Sequence, residues 1–95
     1  MEIIWSPESE IDYYQNLIYL SENWPESVAQ NFIKEVENVL KSIKDRPDLY
    51  PLINQGAVRK AVLRKQISLY YQIEEGDIHL IRFWNNYQNP DLLKV

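Results

Sequence analysis

The sequence has no cysteine, one histidine and two glycines among its 95 residues. The lack of cysteine excludes disulfide bonds and thiolate metal ligands, and one histidine alone does not make a metal site, so we expect neither a metal nor another cofactor. No apolar run is long enough to cross a bilayer, and the first residues lack the basic start and apolar stretch of a secretory leader. We therefore expect one domain over residues 1–95, without a membrane partner, in a reducing compartment such as the cytoplasm.

Positive charge is scarce and concentrated in one part of the chain. The net charge is −4, with −6 in residues 1–45 and +2 in residues 46–95. Four bases and no acid lie between Gly56 and Ile73, and these are Arg59, Lys60, Arg64 and Lys65. This pattern argues against a general coating of nucleic acid and favours one focused contact with an anionic partner.

The first half of the sequence predicts two helices. Ser6 can cap a helix that has Pro7 at its first position, and Pro25 marks a second start shortly after the first helix ends. Pro47 ends the second helix, and the short break between the helices predicts an antiparallel hairpin. In the first helix we expect one apolar half of the helical wheel to face the core or line a groove, and it contains Tyr13, Tyr14, Leu17, Ile18, Leu20 and Trp24.

The remaining elements read as strands, over residues 2–5, 57–63, 67–73 and 78–84. Residues 67–73 alternate between apolar and polar, and residues 74–77 form a hairpin turn. The last strand is apolar on both sides except at His79 and Arg82, which predicts a central strand covered on both faces. The order β-α-α-β-β-β predicts a small α+β domain, with a helical hairpin packed on a small antiparallel-type sheet.

Several short motifs in this order resemble a known family. They are Trp5-Ser6-Pro7-Glu8, Tyr50-Pro51, Val58-Arg59-Lys60, Leu69-Tyr70-Tyr71-Gln72-Ile73 and the segment Arg82-Phe83-Trp84-Asn85-Asn86-Tyr87-Gln88-Asn89-Pro90. Together they cover nearly the whole chain. On these motifs the chain resembles the RelE/ParE superfamily of toxins from bacterial type II toxin–antitoxin systems, and more closely its ParE-like plasmid-stabilisation branch.

The resemblance implies a bacterial cytoplasmic toxin that a cognate antitoxin neutralises. The toxin would form a homodimer or a hetero-oligomer with its antitoxin. RelE-like members cut mRNA in the ribosome, whereas ParE-like members poison DNA gyrase without doing chemistry themselves. The resemblance to nuclease members would assign catalysis to Lys60, Arg64, Arg82 and Tyr87. Nuclease members, however, place an arginine where this chain has Ser68, and residues 85–89 contain no cation. We therefore expect a ParE-like toxin that is not an enzyme.

Two other hypotheses stay open. The first is a RelE-like ribosome-dependent endoribonuclease, and the second is a degenerate member that only binds its antitoxin. In every case the resemblance and the apolar groove of a helical hairpin predict an antitoxin-binding surface. Its predicted residues are Tyr14, Ile18, Trp24, Phe32, Arg59, Arg64 and Lys65.

Some of these residues also have purely structural interpretations. Arg82 interrupts an apolar strand, so an ion pair with an acid such as Glu8 or Glu10 would explain it. His79 is expected to face solvent. Tyr70, Trp84 and Tyr87 could stack on nucleic-acid bases, although core packing explains Trp84 as well.

Overall fold

A computed structural model of the chain describes residues 1–53, 56–64, 66–88, 90–93 and 95, and of Arg64 and Pro90 it describes the backbone alone. The elements are strand β1 (Ile3–Trp5), helix α1 (Pro7–Asn23), helix α2 (Glu26–Asp45) and strands β2 (Val58–Arg64), β3 (Ile67–Glu74) and β4 (Asp77–Asn85), followed by a 3₁₀ turn at Pro90–Leu92. The predicted element order and α+β class are confirmed. In the described part of the chain, neither helix combines the length and the apolar character that crossing a membrane requires.

The four strands form one mixed sheet in the order β1-β4-β3-β2. β2 and β3 pair antiparallel, as do β3 and β4, but β1 lies parallel to β4. The prediction of an antiparallel-type sheet is therefore right for two of the three strand pairs. β1 can run parallel to β4 because the two helices lie between β1 and the other strands in the chain. They form a crossover connection, which brings the chain back to the sheet in the same direction.

The turn between β3 and β4 falls where the sequence predicts it. Glu75 and Gly76 both have positive φ, at 53° and 79°. Two successive positive φ values define the tight turn whose twist matches that of a hairpin, and a glycine at the second position makes it accessible. The hairpin register that follows places Tyr70 opposite Arg82 and Ser68 opposite Trp84.

Helix α2 supplies an apolar face to the core. Its buried residues recur at helical spacing, and they are Ala29, Phe32, Val36, Val39 and Ile43. They pack against the side chains that β2, β3 and β4 direct to the same side, including Ala61, Leu69, Tyr71 and Leu80. Burial raises the pKa of Tyr71, and its hydroxyl donates a hydrogen bond to the carbonyl oxygen of Pro47, just beyond the end of α2.

Helix α1 follows the prediction in part, but it also buries a polar stripe that was not predicted. Its most buried residues are Ser9, Asp12, Asn16 and Leu20, so three of the four are polar. From the predicted apolar half, Leu20 is fully buried and Tyr13 and Leu17 are partly buried against the core. Tyr14, Ile18 and Trp24, in contrast, are 62%, 56% and 49% exposed.

The short length of β1 explains the buried polar stripe. β1 pairs with β4 only as far as Leu80, which leaves the edge of β4 beyond that residue without a neighbouring strand. α1 lies along this edge, where the backbone N–H of Phe83 donates to Asp12 and the carbonyl of Phe83 accepts from Asn16. Since unpaired backbone groups are costly to bury, polar side chains one helical turn apart are needed here.

We predict that Asp12→Ala destabilises the protein by about 3–5 kcal/mol, because it leaves the partly buried Arg82 and the N–H of Phe83 without their acceptor. The measurement is the free energy of unfolding from urea denaturation. Glu22→Ala, an exposed acid of the same helix, is the control and should change it by no more than about 0.5 kcal/mol.

A double variant separates the ion pair from general damage to the helix. Asp12→Leu combined with Arg82→Met should be more stable than Asp12→Leu alone, because it removes the uncompensated charge. A loss below about 1 kcal/mol in Asp12→Ala would contradict the role given to this carboxylate.

Candidate functional site

The side of the sheet that faces away from the helices carries the candidate site. We call it the open face, and it is defined by Lys60 and Val62 of β2, Ser68 and Tyr70 of β3, and Arg82 and Trp84 of β4. The strand register aligns Lys60, Tyr70 and Arg82 in one row and Val62, Ser68 and Trp84 in the next. Neighbouring strands are about 4.8 Å apart, so the backbones of Lys60 and Arg82 lie about 10 Å from each other.

Arg82 is the most firmly held charge of this face. Its Nε donates to Asp12 Oδ2 at 2.6 Å and one terminal nitrogen donates to Asp12 Oδ1 at 2.9 Å. These hydrogen bonds raise the pKa of Arg82, while burial acts in the opposite direction. The predicted ion pair is therefore present, but its acid is Asp12 and not Glu8 or Glu10. Glu8 adds only a weaker, purely electrostatic contribution to the same pKa.

Two cations cover two aromatic rings on the open face. The Lys60 ammonium lies 5.8 Å from the ring centre of Tyr70, and the Arg82 guanidinium lies 5.2 Å from that of Trp84. Both distances are in the range of cation–π attraction. Tyr70 and Trp84 are each only 6% exposed, so their rings are not available for a nucleic-acid base. The stacking role predicted for Tyr70 and Trp84 is therefore wrong, because the cations and the surrounding chain already occupy that space.

Ser68 occupies the position where the resemblance to nuclease members would require an arginine. It is fully buried between the strands of the open face. The side-chain amide of Asn86 donates to the Ser68 hydroxyl at 3.3 Å. The site thus has a closed, neutral patch beside its cations.

Two of the predicted catalytic residues, Tyr87 and Arg82, line different pockets. Tyr87 is 78% exposed and lines a cleft between α1 and the end of β4, whereas Arg82 lines a separate groove with Glu8 and His79. His79 is partly buried, so the expectation that it faces solvent is only partly right. The side chain of Arg64, the fourth predicted catalytic residue, lies outside the described part of the structure. Within the described residues, no group of three His, Asp or Glu side chains could hold a metal ion.

The predicted antitoxin-binding residues divide into surface and internal ones. Tyr14 and Ile18 lie on an exposed apolar stripe of α1, and Trp24 is half exposed just beyond the end of that helix. Phe32 is fully buried in the core, so its predicted role as a contact residue is wrong: the inner side of α2 packs on the sheet.

The guanidinium of Arg59 is engaged within the chain, where one nitrogen donates to the carbonyls of Asp48 at 3.2 Å and Tyr50 at 2.7 Å. It therefore fastens the loop before β2. Lys65 and the side chain of Arg64, which complete the predicted surface, lie outside the described residues.

A groove runs beside the exposed stripe of α1, between the two helices. It has a volume of about 360 Å³, and its walls include Trp5, Tyr13, Tyr14 and Leu40. Glu10 and Glu37 line the same groove. With Ile11 and Ile18 each 56% exposed on α1, the helical hairpin presents an apolar surface with acidic borders.

Sequence reasoning missed Asp12 and Asn16, the two residues that hold the edge of β4. One signal was available. Ser9, Asp12 and Asn16 recur at helical spacing within a helix that is otherwise rich in aromatic and aliphatic residues. A polar stripe with the period of a helix can indicate that this side faces backbone groups that need partners.

The comparison with solved structures found proteins of the same fold. No protein-family model matches the sequence, and no curated protein matches it either. Among solved structures, a YoeB/ParE toxin from Agrobacterium tumefaciens superimposes with a TM-score of 0.68 at 12% identity, covering 90% of this chain and 98% of that one. A metal-bound toxin from Helicobacter pylori gives 0.66 at 17% identity, with 98% and 99% covered.

A third structure is a heterotetrameric YoeB-YefM toxin-antitoxin complex from Staphylococcus aureus. One of its chains gives a TM-score of 0.62 at 19% identity, with 86% of this chain and 92% of that chain covered. At such identities the likeness is one of fold. The RelE/ParE-like fold predicted from the sequence is therefore confirmed.

We predict that Ser68→Arg destabilises the protein by more than about 3 kcal/mol, because a guanidinium at this buried position has to displace Asn86 or lie uncompensated. Val62→Arg is the matched control, since Val62 pairs with Ser68 on the same face but is 59% exposed. It should cost less than about 1 kcal/mol. Thermal or urea unfolding of both variants checks this, and equal stability of the two would show that position 68 can accept an arginine.

Proposed function

We propose that this chain is the toxin of a toxin–antitoxin pair, that it arrests growth by binding DNA gyrase without cutting RNA, and that a cognate antitoxin neutralises it. The shared fold supports the general part of this proposal, because the proteins of that fold described above are toxins. The choice of a binding mechanism over a catalytic one has its support in the open face.

The main support for a binding mechanism is that the Arg82 guanidinium already has a hydrogen-bonded partner within the chain. RNA cleavage needs a cation free to stabilise the phosphate, and acid and base groups within hydrogen-bond reach of the reacting atoms. The Arg82 guanidinium is already paired with Asp12 through two hydrogen bonds and covers Trp84. Tyr87, another residue of the predicted catalytic set, lines another cleft. Such a surface is suited to recognition of a partner rather than to proton transfer.

The antitoxin would bind the helical hairpin. Ile11, Tyr14 and Ile18 form an apolar stripe along α1, and the groove between the helices continues it. Single exposed apolar residues are common, but a continuous apolar surface on a small protein indicates a binding partner. A helical or extended antitoxin segment with basic residues would match the stripe and the acidic groups Glu10 and Glu37.

One observation favours the alternative of a RelE-like endoribonuclease. Lys60 and Arg82 stand in the same row of the open face on either side of Tyr70, a spacing of about 10 Å that a nucleic-acid backbone could span. In this alternative, Arg64 and Tyr87 would complete the catalytic set. Nothing in the described part of the structure specifically favours the third hypothesis, a degenerate member that only binds an antitoxin.

We predict that inducing the chain in bacteria arrests growth and triggers DNA-damage signalling, without new codon-phased RNA 5′ ends in translated messages. Mapping of RNA 5′ ends across the transcriptome, together with a supercoiling assay on purified gyrase, provides the measurement. Lys60→Glu should weaken gyrase inhibition if the open face contacts the target, and Lys41→Glu on α2 serves as the control. Codon-phased cuts would establish the nuclease instead, and absence of arrest would refute a toxin of either type.

The antitoxin surface gives a separate prediction. Proteins that relieve the growth arrest can be selected by co-expression. The variants Tyr14→Asp and Ile18→Asp should still arrest growth, but the selected protein should no longer relieve that arrest. We expect each to weaken the complex about 10-fold or more, because a charge is placed in an apolar contact. Leu49→Asp, at a 43% exposed apolar position in the turn after α2, is the control. If the relief is unaffected by both α1 variants, the antitoxin binds elsewhere.

A further inference from the structure

The groove between the two helices combines aromatic rings with negative charge. Trp5, Tyr13 and Tyr14 line it. The ring centres of Trp5 and Tyr13 are 5.4 Å apart with an angle of 78° between the ring planes, and those of Tyr13 and Tyr14 are 5.4 Å apart at 77°. Rings that meet at nearly right angles form walls like those of the aromatic cages that recognise organic cations.

The core holds two of these rings in place. Trp5 stacks on Phe83, with ring centres 5.4 Å apart and planes at 25°, and Tyr13 lies 5.7 Å from Phe32 with planes at 30°. Phe83 and Phe32 are both buried in the hydrophobic core. A ligand in the groove would therefore meet rings that are already ordered, so that little side-chain freedom would be lost on binding.

Two carboxylates lie beside the rings. Glu10 of α1 and Glu37 of α2 line the same groove and are exposed, and within the described part of the chain neither forms a hydrogen bond or an ion pair. No described lysine or arginine lines the groove. Burial raises the pKa of Tyr13, and the neighbouring Tyr14 and Glu37 raise it further. The groove thus has an excess of negative charge next to its aromatic walls.

These properties select among ligand classes. An anion would be repelled by both carboxylates, and a neutral molecule would gain nothing from them. A primary ammonium is strongly hydrated, and ring faces do not replace the hydrogen bonds that it makes with water. A quaternary ammonium has no N–H group to satisfy, while its charge is attracted to ring faces and to carboxylates alike. The volume of about 360 Å³ is at the small end of ligand sites.

We propose that this groove binds a small, free quaternary ammonium compound. Trp5, Tyr13 and Tyr14 would contact its methyl groups, and Glu10 and Glu37 would compensate its charge. Binding is measured on the chain alone, so this inference stands or falls separately from the proposed toxin activity. Because Tyr14 also belongs to the proposed antitoxin surface, a bound ligand would compete with the antitoxin there.

The test is an NMR titration of the full chain with choline, at constant ionic strength. The matched probe is its uncharged isostere, in which a tert-butyl group replaces the trimethylammonium group. We expect choline to bind with a dissociation constant of about 5 mM or below, at least about fivefold more tightly than the isostere. The indole N–H signal of Trp5 should shift, and that of Trp84, on the open face, should not. Equal affinity for the two probes, or an unchanged Trp5 signal, would overturn the proposal.

A ring variant tests the aromatic wall. Tyr14→Leu keeps an apolar side chain on the surface of α1 but removes the ring, and it should weaken choline binding at least about threefold. Tyr19→Leu is the control, because Tyr19 is also partly exposed on α1 but does not line the groove. Equal effects of the two substitutions would contradict the assigned wall.

A charge variant tests the carboxylates. Glu10→Gln combined with Glu37→Gln keeps the shape of both side chains and should weaken choline binding at least about threefold. Glu22→Gln combined with Glu74→Gln changes the net charge equally at exposed positions outside the groove, and it should leave binding unchanged. Full binding by the first double variant would show that the carboxylates do not take part and would refute their role.

The kind of cation is decided with three further probes, namely tetramethylammonium, methylammonium and guanidinium. We expect tetramethylammonium to bind most tightly, because it alone has no N–H groups that must leave water. Tighter binding of methylammonium or guanidinium, the groups that lysine and arginine side chains carry, would overturn the proposal. It would assign the groove to basic side chains of a protein partner instead.

Discussion

The carboxylate of Asp12 accepts hydrogen bonds from three N–H groups of β4, two on the guanidinium of Arg82 and one on the backbone of Phe83. Most other features of the molecule depend on this arrangement. It fixes α1 along the part of β4 that the short strand β1 leaves unpaired. It also compensates the charge of Arg82, which interrupts the apolar sequence of β4. A buried ion pair is expensive to assemble, and this one is tolerable because each carboxylate oxygen has a hydrogen-bonded partner.

The orientation of α1 follows from that contact and sets the surface of the protein. A helix that turns polar residues toward the sheet must turn some of its apolar residues toward solvent, and α1 does so with Ile11, Tyr14 and Ile18. α2 shows the ordinary arrangement, with its apolar side in the core. The two helices therefore have different structural roles. One closes the core, while the other closes the sheet edge and leaves an apolar stripe available to a partner.

The sequence was sufficient for the elements and their order, because periods of two and of 3.6 residues and the prolines that bound the helices are local signals. It was not sufficient for the inner side of α1. The wheel places Tyr14 and Ile18 in the core or along a groove but gives no sign that Asp12 and Asn16 are buried, because the strand edge that buries them forms more than 60 residues later in the chain. The burial of Ser68, Tyr70 and Trp84 also depended on tertiary neighbours, so their exposure could not be judged from alternation alone. Arg82 was singled out correctly, since a cation within an apolar strand needs a partner, but which acid pairs with it depends on how α1 lies on the sheet.

The most direct test of this account is hydrogen exchange of the Phe83 backbone amide in the intact protein. If Asp12 closes the edge of β4, this amide should exchange about as slowly as that of Leu69 in the centre of the sheet, because both open only when the surrounding structure opens. An exchange rate near that of an unprotected amide, with Leu69 still protected, would show that α1 does not hold the edge and would contradict the account.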